Sequence, residues 1–339
     1  MFTASYFPGS NTCRGFHGYF DEILPEKQRK RAYILKGGPG TGKSTLMKRV
    51  GAAWEQQGRR VDYYFCSGDP DSLDAVVSGG CMVMDGTSPH VTDPILPGAA
   101  DQIINLGVCL DETVMAAHRD EVIKLNRDMR RCYGRAYRYL TGADAALKDM
   151  QEIYRQAADE GAVCNLRMEL MAFMEGESGE SRHLYAQAVT CKGVVQHFAS
   201  LEREHMLCLD LPFGFDADAL LRPLSVHLSA KGTAYRAFMH PLDGKRHGHI
   251  ATDTHAVVTF AKKGREKRTL PFDEDLLRRE HDTLAFNRAA YDLLLHQAID
   301  SLARAKEIHD VIERIYFDGI DYKKLSDIQD ATVQKMKSI

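Results

Sequence analysis

The stretch Gly37-Gly38-Pro39-Gly40-Thr41-Gly42-Lys43-Ser44-Thr45 constrains the fold more than any other part of the chain. It fits the pattern G-x-x-x-x-G-K-[ST], and its flanks fit as well. Ala32-Tyr33-Ile34-Leu35 ahead of it reads as a short strand. Leu46, Met47, Val50, Ala53 and Trp54 behind it fall at helical spacing, up to a stop at Gly58. A strand that turns through glycines straight into a helix predicts an α/β domain. Glycines take positive φ, so successive N–H groups point inward and form an anion-binding nest at the helix N-terminus. The segment Gly38, Pro39, Gly40, Thr41, Gly42, Lys43, Ser44 and Thr45 is therefore expected to cradle the phosphates of a nucleotide. Lys43 is placed to reach the β- and γ-phosphates, and the Ser44 hydroxyl to bind Mg²⁺. A glycine-rich turn that binds nothing is the alternative.

Such a loop needs an acidic partner for the metal. Cys81-Met82-Val83-Met84 is a compact apolar run closed by Asp85-Gly86, the pattern of a buried parallel strand with a carboxylate at its C-terminal end. Asp85 is thus the expected second Mg²⁺ ligand and, with Lys43, a catalytic residue; a turn or helix-capping Asp is the competing reading. Asp69, Asp71 and Asp74 are also candidates, but they read as a polar loop after a strand at Val61 to Cys66. No Glu follows Asp85, so the paired Asp-Glu of many AAA-type motors is missing and no water-activating base is assigned. The guanine-reading Asn-Lys-x-Asp is missing too, which leaves ATP as the default nucleotide.

The first half has an echo in the second. Adding 174 to the numbering carries Leu35 to Leu209, Gly40 to Gly214, Leu46 to Leu220, Gly58 to Gly232, Asp69 to Asp243 and Val83 to Val257. Upstream, an offset of 178 carries Thr12-Cys13-Arg14-Gly15 onto Thr190-Cys191-Lys192-Gly193. The same strand–turn–helix order repeats, as an internal duplication requires. In the second copy Lys43 becomes Ala217, Ser44 becomes Asp218, Gly42 becomes Asp216 and Asp85 becomes Thr259. Two carboxylates at a helix start repel phosphate, and Pro223 falls inside the corresponding helix, where it predicts a late start or a kink. One nucleotide per chain, bound in the first half, is the expectation.

Leu35 to Leu46, taken with Asp85-Gly86-Thr87-Ser88-Pro89-His90, resembles a family of uncharacterised bacterial tandem phosphate-loop NTPases (ATPases), here with a degenerate second loop. The resemblance implies an ATP-binding domain and a cytoplasmic location, and no agreed substrate.

The length suits two domains, each able to hold its own core. The expected division is residues 1–178 for the active lobe, with a helical hairpin at 111–174, and 181–339 for the degenerate lobe and its C-terminal helices. Glu175-Gly176-Glu177-Ser178-Gly179-Glu180 reads as the linker. Within the hairpin, an apolar pattern runs to Leu140, is broken by Thr141-Gly142, and resumes from Leu147. The second half offers helices from Phe286 to Tyr316 and, after Asp318-Gly319, through Lys335. A net charge of −3 argues against a strongly electrostatic nucleic-acid binder. No apolar run approaches the roughly 20 residues of a membrane span. Eight cysteines with no C-x-x-C pair read as reduced thiols.

Lys124, Arg127, Arg131, Arg135 and Arg138 form a basic stripe on the first hairpin helix, read either as a solvated face or as an arginine lid over phosphates. A nucleic-acid surface with Tyr133, Tyr137 and Tyr139 is a third reading, weakened because the tyrosines lie largely on other faces. His90 is placed either to face the γ-phosphate or to sit idle in a loop. His247, His249, Asp253 and His255 match no zinc spacing. The expectation is two phosphate-loop-like α/β lobes of mostly parallel sheet. The favoured function is Mg²⁺-dependent ATP hydrolysis at one site. A small-molecule kinase and a non-catalytic ATP-dependent switch with an unidentified partner are the alternatives.

Overall fold

The computed structural model describes residues 3–339. The first half runs β1 (Ala4–Tyr6), β2 (Gly9–Thr12), β3 (Gly15–Gly18), β4 (Arg31–Lys36), α1 (Lys43–Gln56), β5 (Asp62–Phe65), β6 (Leu73–Ser78), β7 (Cys81–Asp85) and β8 (Asp101–Asn105). Helices α2 (Glu112–Ala117), α3 (Arg119–Ala157) and α4 (Glu160–Phe173) follow. The second half repeats the series: β9 (Arg182–Leu184), β10 (Gln187–Thr190), β11 (Gly193–Gln196), β12 (His205–Leu209), α5 (Asp218–Ala230), β13 (Arg236–Met239), β14 (His247–Ala251), β15 (His255–Val258) and β16 (Glu266–Arg268). Helices α6 (Glu274–Arg279), α7 (His281–Phe317) and α8 (Tyr322–Lys337) close it.

The sheets have the order β1-β5-β6-β7-β4-β8 and β9-β13-β14-β15-β12-β16, so each strand of one has its counterpart in the other. Pairing directions match too. β7 and β8 run parallel to β4 as β15 and β16 do to β12, while β6 and β14 are the antiparallel members. The two halves are therefore lobes of one α/β design, each a six-stranded, mostly parallel sheet flanked by helices.

Strand alternation explains how the layers stack. Ala32, Ile34, Met82 and Met84 join Met206, Cys208, Ala256 and Val258 in one core, so the two sheets share an apolar face. Tyr33, Leu35, Cys81 and Val83 point the other way, onto Leu46, Val50 and Trp54 of α1. Both faces of each sheet are covered, which is why these strands read as continuous apolar runs.

The outer layers are exchanged between halves. α4 packs Leu166 and Leu170 against Leu220, Leu221 and Leu224 of α5, in the second lobe. α8 packs Val333 and Met336 against α1, in the first lobe, and Trp54 Nε1 donates to the Met336 carbonyl at 2.9 Å. Replacing the fully buried Trp54 by Ala removes both contacts, and should cost about 3–5 kcal/mol in denaturant unfolding.

The expected break at Thr141-Gly142 is absent: α3 passes through it as one helix of 39 residues. Packing explains the difference. α3 lies along α7 and shares a core with it through Ala136, Leu140, Leu147, Ala298 and Leu302. A Cβ on Gly142 would come within 3.0 Å of Leu294, so the glycine lets the two helices approach. The turn comes instead at Ala158-Asp159, where Asp159 caps α4 by accepting from Ala162 N. Pro223 lies within α5 and does not delay its start. The Ala219 carbonyl, which a proline at 223 cannot serve, accepts from Arg167 Nε of α4 at 2.9 Å.

Candidate functional site

The glycine-rich loop joins β4 to α1 at the carboxyl edge of the first sheet. There the chain leaves β4 toward β5 and leaves the neighbouring β7 toward β8, on the opposite side, the position where open α/β sheets form a crevice. Gly40 and Gly42 both adopt left-handed φ, near 72° and 71°, and Gly42 caps α1 by accepting from Leu46 N. A side chain at either position would be strained. Thr41 Oγ1 closes the turn by donating to the Gly38 carbonyl at 2.8 Å.

Lys43, the first residue of α1, folds back over this loop. Its Nζ donates to the carbonyls of Gly37 and Gly38 at 3.0 and 3.1 Å and lies 3.7 Å from Asp85 Oδ2. Leu35 pairs with Asp85 in the β4–β7 ladder, which sets the carboxylate at the end of the neighbouring strand. Thr87 fixes it by donating through N and Oγ1 to Oδ1, at 2.9 and 2.7 Å. Ser44 Oγ accepts from Leu73 N at 3.0 Å, which ties the start of α1 to β6 and leaves the hydroxyl a second lone pair. Pro39 and Thr45 lie on the same loop and first helical turn.

Asp74 belongs to this cluster, although the sequence places it in a polar loop. It sits on β6, where Tyr64 pairs with Ala75 and Phe65 with Leu73, so Asp74 is the extra residue of a β-bulge. A bulge re-aims a side chain, and here it brings a carboxylate into the buried crevice. Asp74 Oδ1 lies 3.7 Å from His90 Nε2, both side chains are nearly fully buried, and the His90 ring stacks on Phe20 at 4.3 Å. Burial raises the Asp74 carboxyl to about 6; His90 opposes the rise, Asp85 adds to it, and Cys66 and Lys43 oppose it. His90 thus faces Asp74.

A carboxyl held above its ordinary 3.8 favours folding only while protonated. That contribution is complete below pH about 4 and is lost as pH rises through about 6. In metal-free buffer, Asp74→Asn should therefore flatten the decline of melting temperature between pH 4 and 7, with a difference of at most about 3 kcal/mol at pH 7. Parallel curves for the two proteins would assign the slope to other groups.

The second half of the chain supplies the remaining walls. A Cβ on Gly40 would meet the Phe317 ring at 2.7 Å, one on Gly42 would meet Gln329 at 2.6 Å, and Tyr316 lies against Gly38. Gln329 also donates to the Gly42 carbonyl at 3.3 Å, and Lys306 of α7 pairs with Asp69 at 3.4 Å. Lys124, Arg127, Arg131, Arg135 and Arg138 are all exposed, and Arg131 pairs with Asp128 on its own helix. The helix that reaches the loop is α7.

In the second lobe the equivalent position is occupied by the protein itself. Asp218 Oδ1, at the place of Ser44, accepts from His247 N at 2.8 Å, as Ser44 accepts from Leu73. It also contacts His247 Nδ1 at 2.6 Å, and its other oxygen takes Arg222 Nε at 2.7 Å. The bulge recurs, with Gly248 in place of Asp74. His247, His249 and His255 do not converge: they meet Asp218, Thr259 and Thr254 respectively.

A family model described as Nephrocystin 3, N-terminal, matches residues 12–79, which hold β3 to β6, the glycine-rich loop, Lys43, Ser44 and Asp74. No curated protein and no solved structure matches the chain. These comparisons supply no relative from the tandem phosphate-loop family, and the likeness of the two halves rests on their shared strand order. No helix among the described residues is long and apolar enough to cross a membrane.

Proposed function

We propose that the first lobe is a phosphate-loop NTPase site that binds Mg²⁺-ATP and hydrolyses it, in a chain of the tandem type whose second loop has lost the activity. The observation that carries this reading is the meeting of Lys43 and Asp85 at 3.7 Å above a loop with two left-handed glycines at a helix N-terminus. The loop's N–H groups and the α1 dipole hold the phosphates. Lys43 exchanges its hydrogen bonds to the Gly37 and Gly38 carbonyls for phosphate oxygens. It then stabilises charge on the transferring group.

Ser44 and Asp85 suit Mg²⁺, a hard cation that takes oxygen ligands, and Thr87 already orients the carboxylate. When bound, Mg²⁺ neutralises charge on the phosphates. Asp74, close enough to Asp85 and Lys43 for their charges to act on its carboxyl, is the group we assign to accept a proton from the attacking water.

A second reading, an ATP-dependent switch, is favoured by the contacts of Tyr316, Phe317 and Gln329 with the loop glycines, because phosphate binding there bears directly on the seat of α7 and α8. ADP formation from Mg²⁺-ATP by the purified chain tests the first reading. Turnover supports it. Binding without turnover, with altered protease access at residues 316–329, selects the second. Turnover only in the presence of a metabolite acceptor makes the site a kinase.

A further inference from the structure

At the amino ends of the strands, on the side away from the glycine-rich loop, a cleft of about 730 Å³ opens between the lobes. Arg60 comes from the first lobe, and Arg182, Arg203, Arg236 and Arg265 from the second. The pseudo-symmetry shows why so many guanidinium groups gather there. In the first lobe, Arg29 forms a buried ion pair with Asp101 at 2.9 Å, and Asp101 lies beside Ala32 in the β4–β8 ladder. Arg203 stands 174 positions after Arg29, and Met206 stands 174 after Ala32. Leu207 pairs with Glu266, so the residue beside Met206 is Arg265. The carboxylate of the first lobe has been replaced by a second cation.

Both arginines are held in place without being neutralised. Arg203 donates to the carbonyls of Thr252, Ser200 and Glu202 at 2.6, 3.1 and 2.7 Å. Arg265 donates to those of Glu204 and Arg203 at 3.0 and 3.2 Å. Arg182 is held by the Ile23 carbonyl and Gln28. Among the described residues no carboxylate lies within ion-pair distance of Arg182, Arg203 or Arg265. Glu180 and Glu202 at the rim are engaged by Lys27 and Lys262, Glu204 lies 3.9 Å from His205, Asp253 also lines the cleft, and Asp62 serves Arg60 and Arg236. Burial holds the Arg203 guanidinium below its usual range, with Tyr6 opposing and Arg236 and Arg60 reinforcing.

We propose that this cleft binds a small phosphate-bearing anion, which supplies Arg203, Arg265 and Arg182 with the negative charge that Asp101 supplies to Arg29. Guanidinium forks match phosphate oxygens bidentately. The cleft exceeds one phosphate in volume, which fits a phosphorylated metabolite or a diphosphate. Because it spans both lobes, its occupant bridges them.

The test uses the full chain carrying Lys43→Ala, so that the glycine-rich loop does not compete, with pyrophosphate as calorimetric probe. Pyrophosphate should bind this protein, and adding Arg265→Asp should weaken it by about tenfold or more. The melting temperature should not fall, because the new carboxylate pairs with Arg203 as Asp101 does with Arg29. Arg203→Gln should give the same loss of affinity, and it decides the matter if the first variant does not fold. No binding to the Lys43→Ala protein, or affinities within about twofold across the variants, would overturn the proposal.

Discussion

Lys43→Ala should lower ATP turnover by about 10²–10³-fold while leaving the melting temperature nearly unchanged. The loss follows from removing a cation that reaches across the loop toward Asp85. The small effect on stability follows from the second lobe, where Ala217 occupies the corresponding place and the helix and sheet still form. Asp85→Asn should lose turnover similarly, with an added demand for Mg²⁺, since one of the two expected oxygen ligands loses its charge. Measured beside Asp218→Ala, which should leave turnover intact, the three variants assign the chemistry to one lobe. If Lys43→Ala retains full turnover, hydrolysis belongs elsewhere.

A fragment ending at residue 178 should fail to fold as a cooperative unit. It would keep α1 but lose α8, uncovering Trp54 and Met47 on the outer face of the first sheet. It would keep α4 but lose α5, leaving Leu166, Leu170 and Met174 without the residues they pack on. The inner face of the sheet would lose the second sheet as well. Several fully buried apolar side chains, each worth about 1.5–3 kcal/mol, exceed the typical stability of a domain. Fragments 1–178 and 181–339 expressed together should recover a native-like complex. A sharp thermal transition from 1–178 alone would show that the exchanged helices are accessories.

Much of the candidate site was legible because its residues are local in the chain. The glycines, Lys43 and Ser44 are neighbours in the chain, and Asp85 announces itself at the end of an apolar run. The offsets of 174 and 178 carried nearly every strand of one half onto the other. Asp74 was hidden because its role depends on a bulge, which is a property of pairing with β5 and not of the residues around it. The helix exchange was hidden for a related reason. An amphipathic pattern tells which face of α4 or α8 is buried, but not which lobe buries it. Gly142 misled because helix propensity of roughly 1 kcal/mol is small beside the packing of α3 on α7.

The exchange gives this single chain the layout of a two-fold dimer whose subunits have been joined through residues 174–181. In an assembly of identical subunits, any change at one loop appears at the other, so neither can be surrendered. Joining them removes that constraint: each helical arm still braces the opposite partner, but the two loops are encoded separately. One can then keep Lys43 while the other becomes Ala217, at no cost to the mutual embrace that holds both upright.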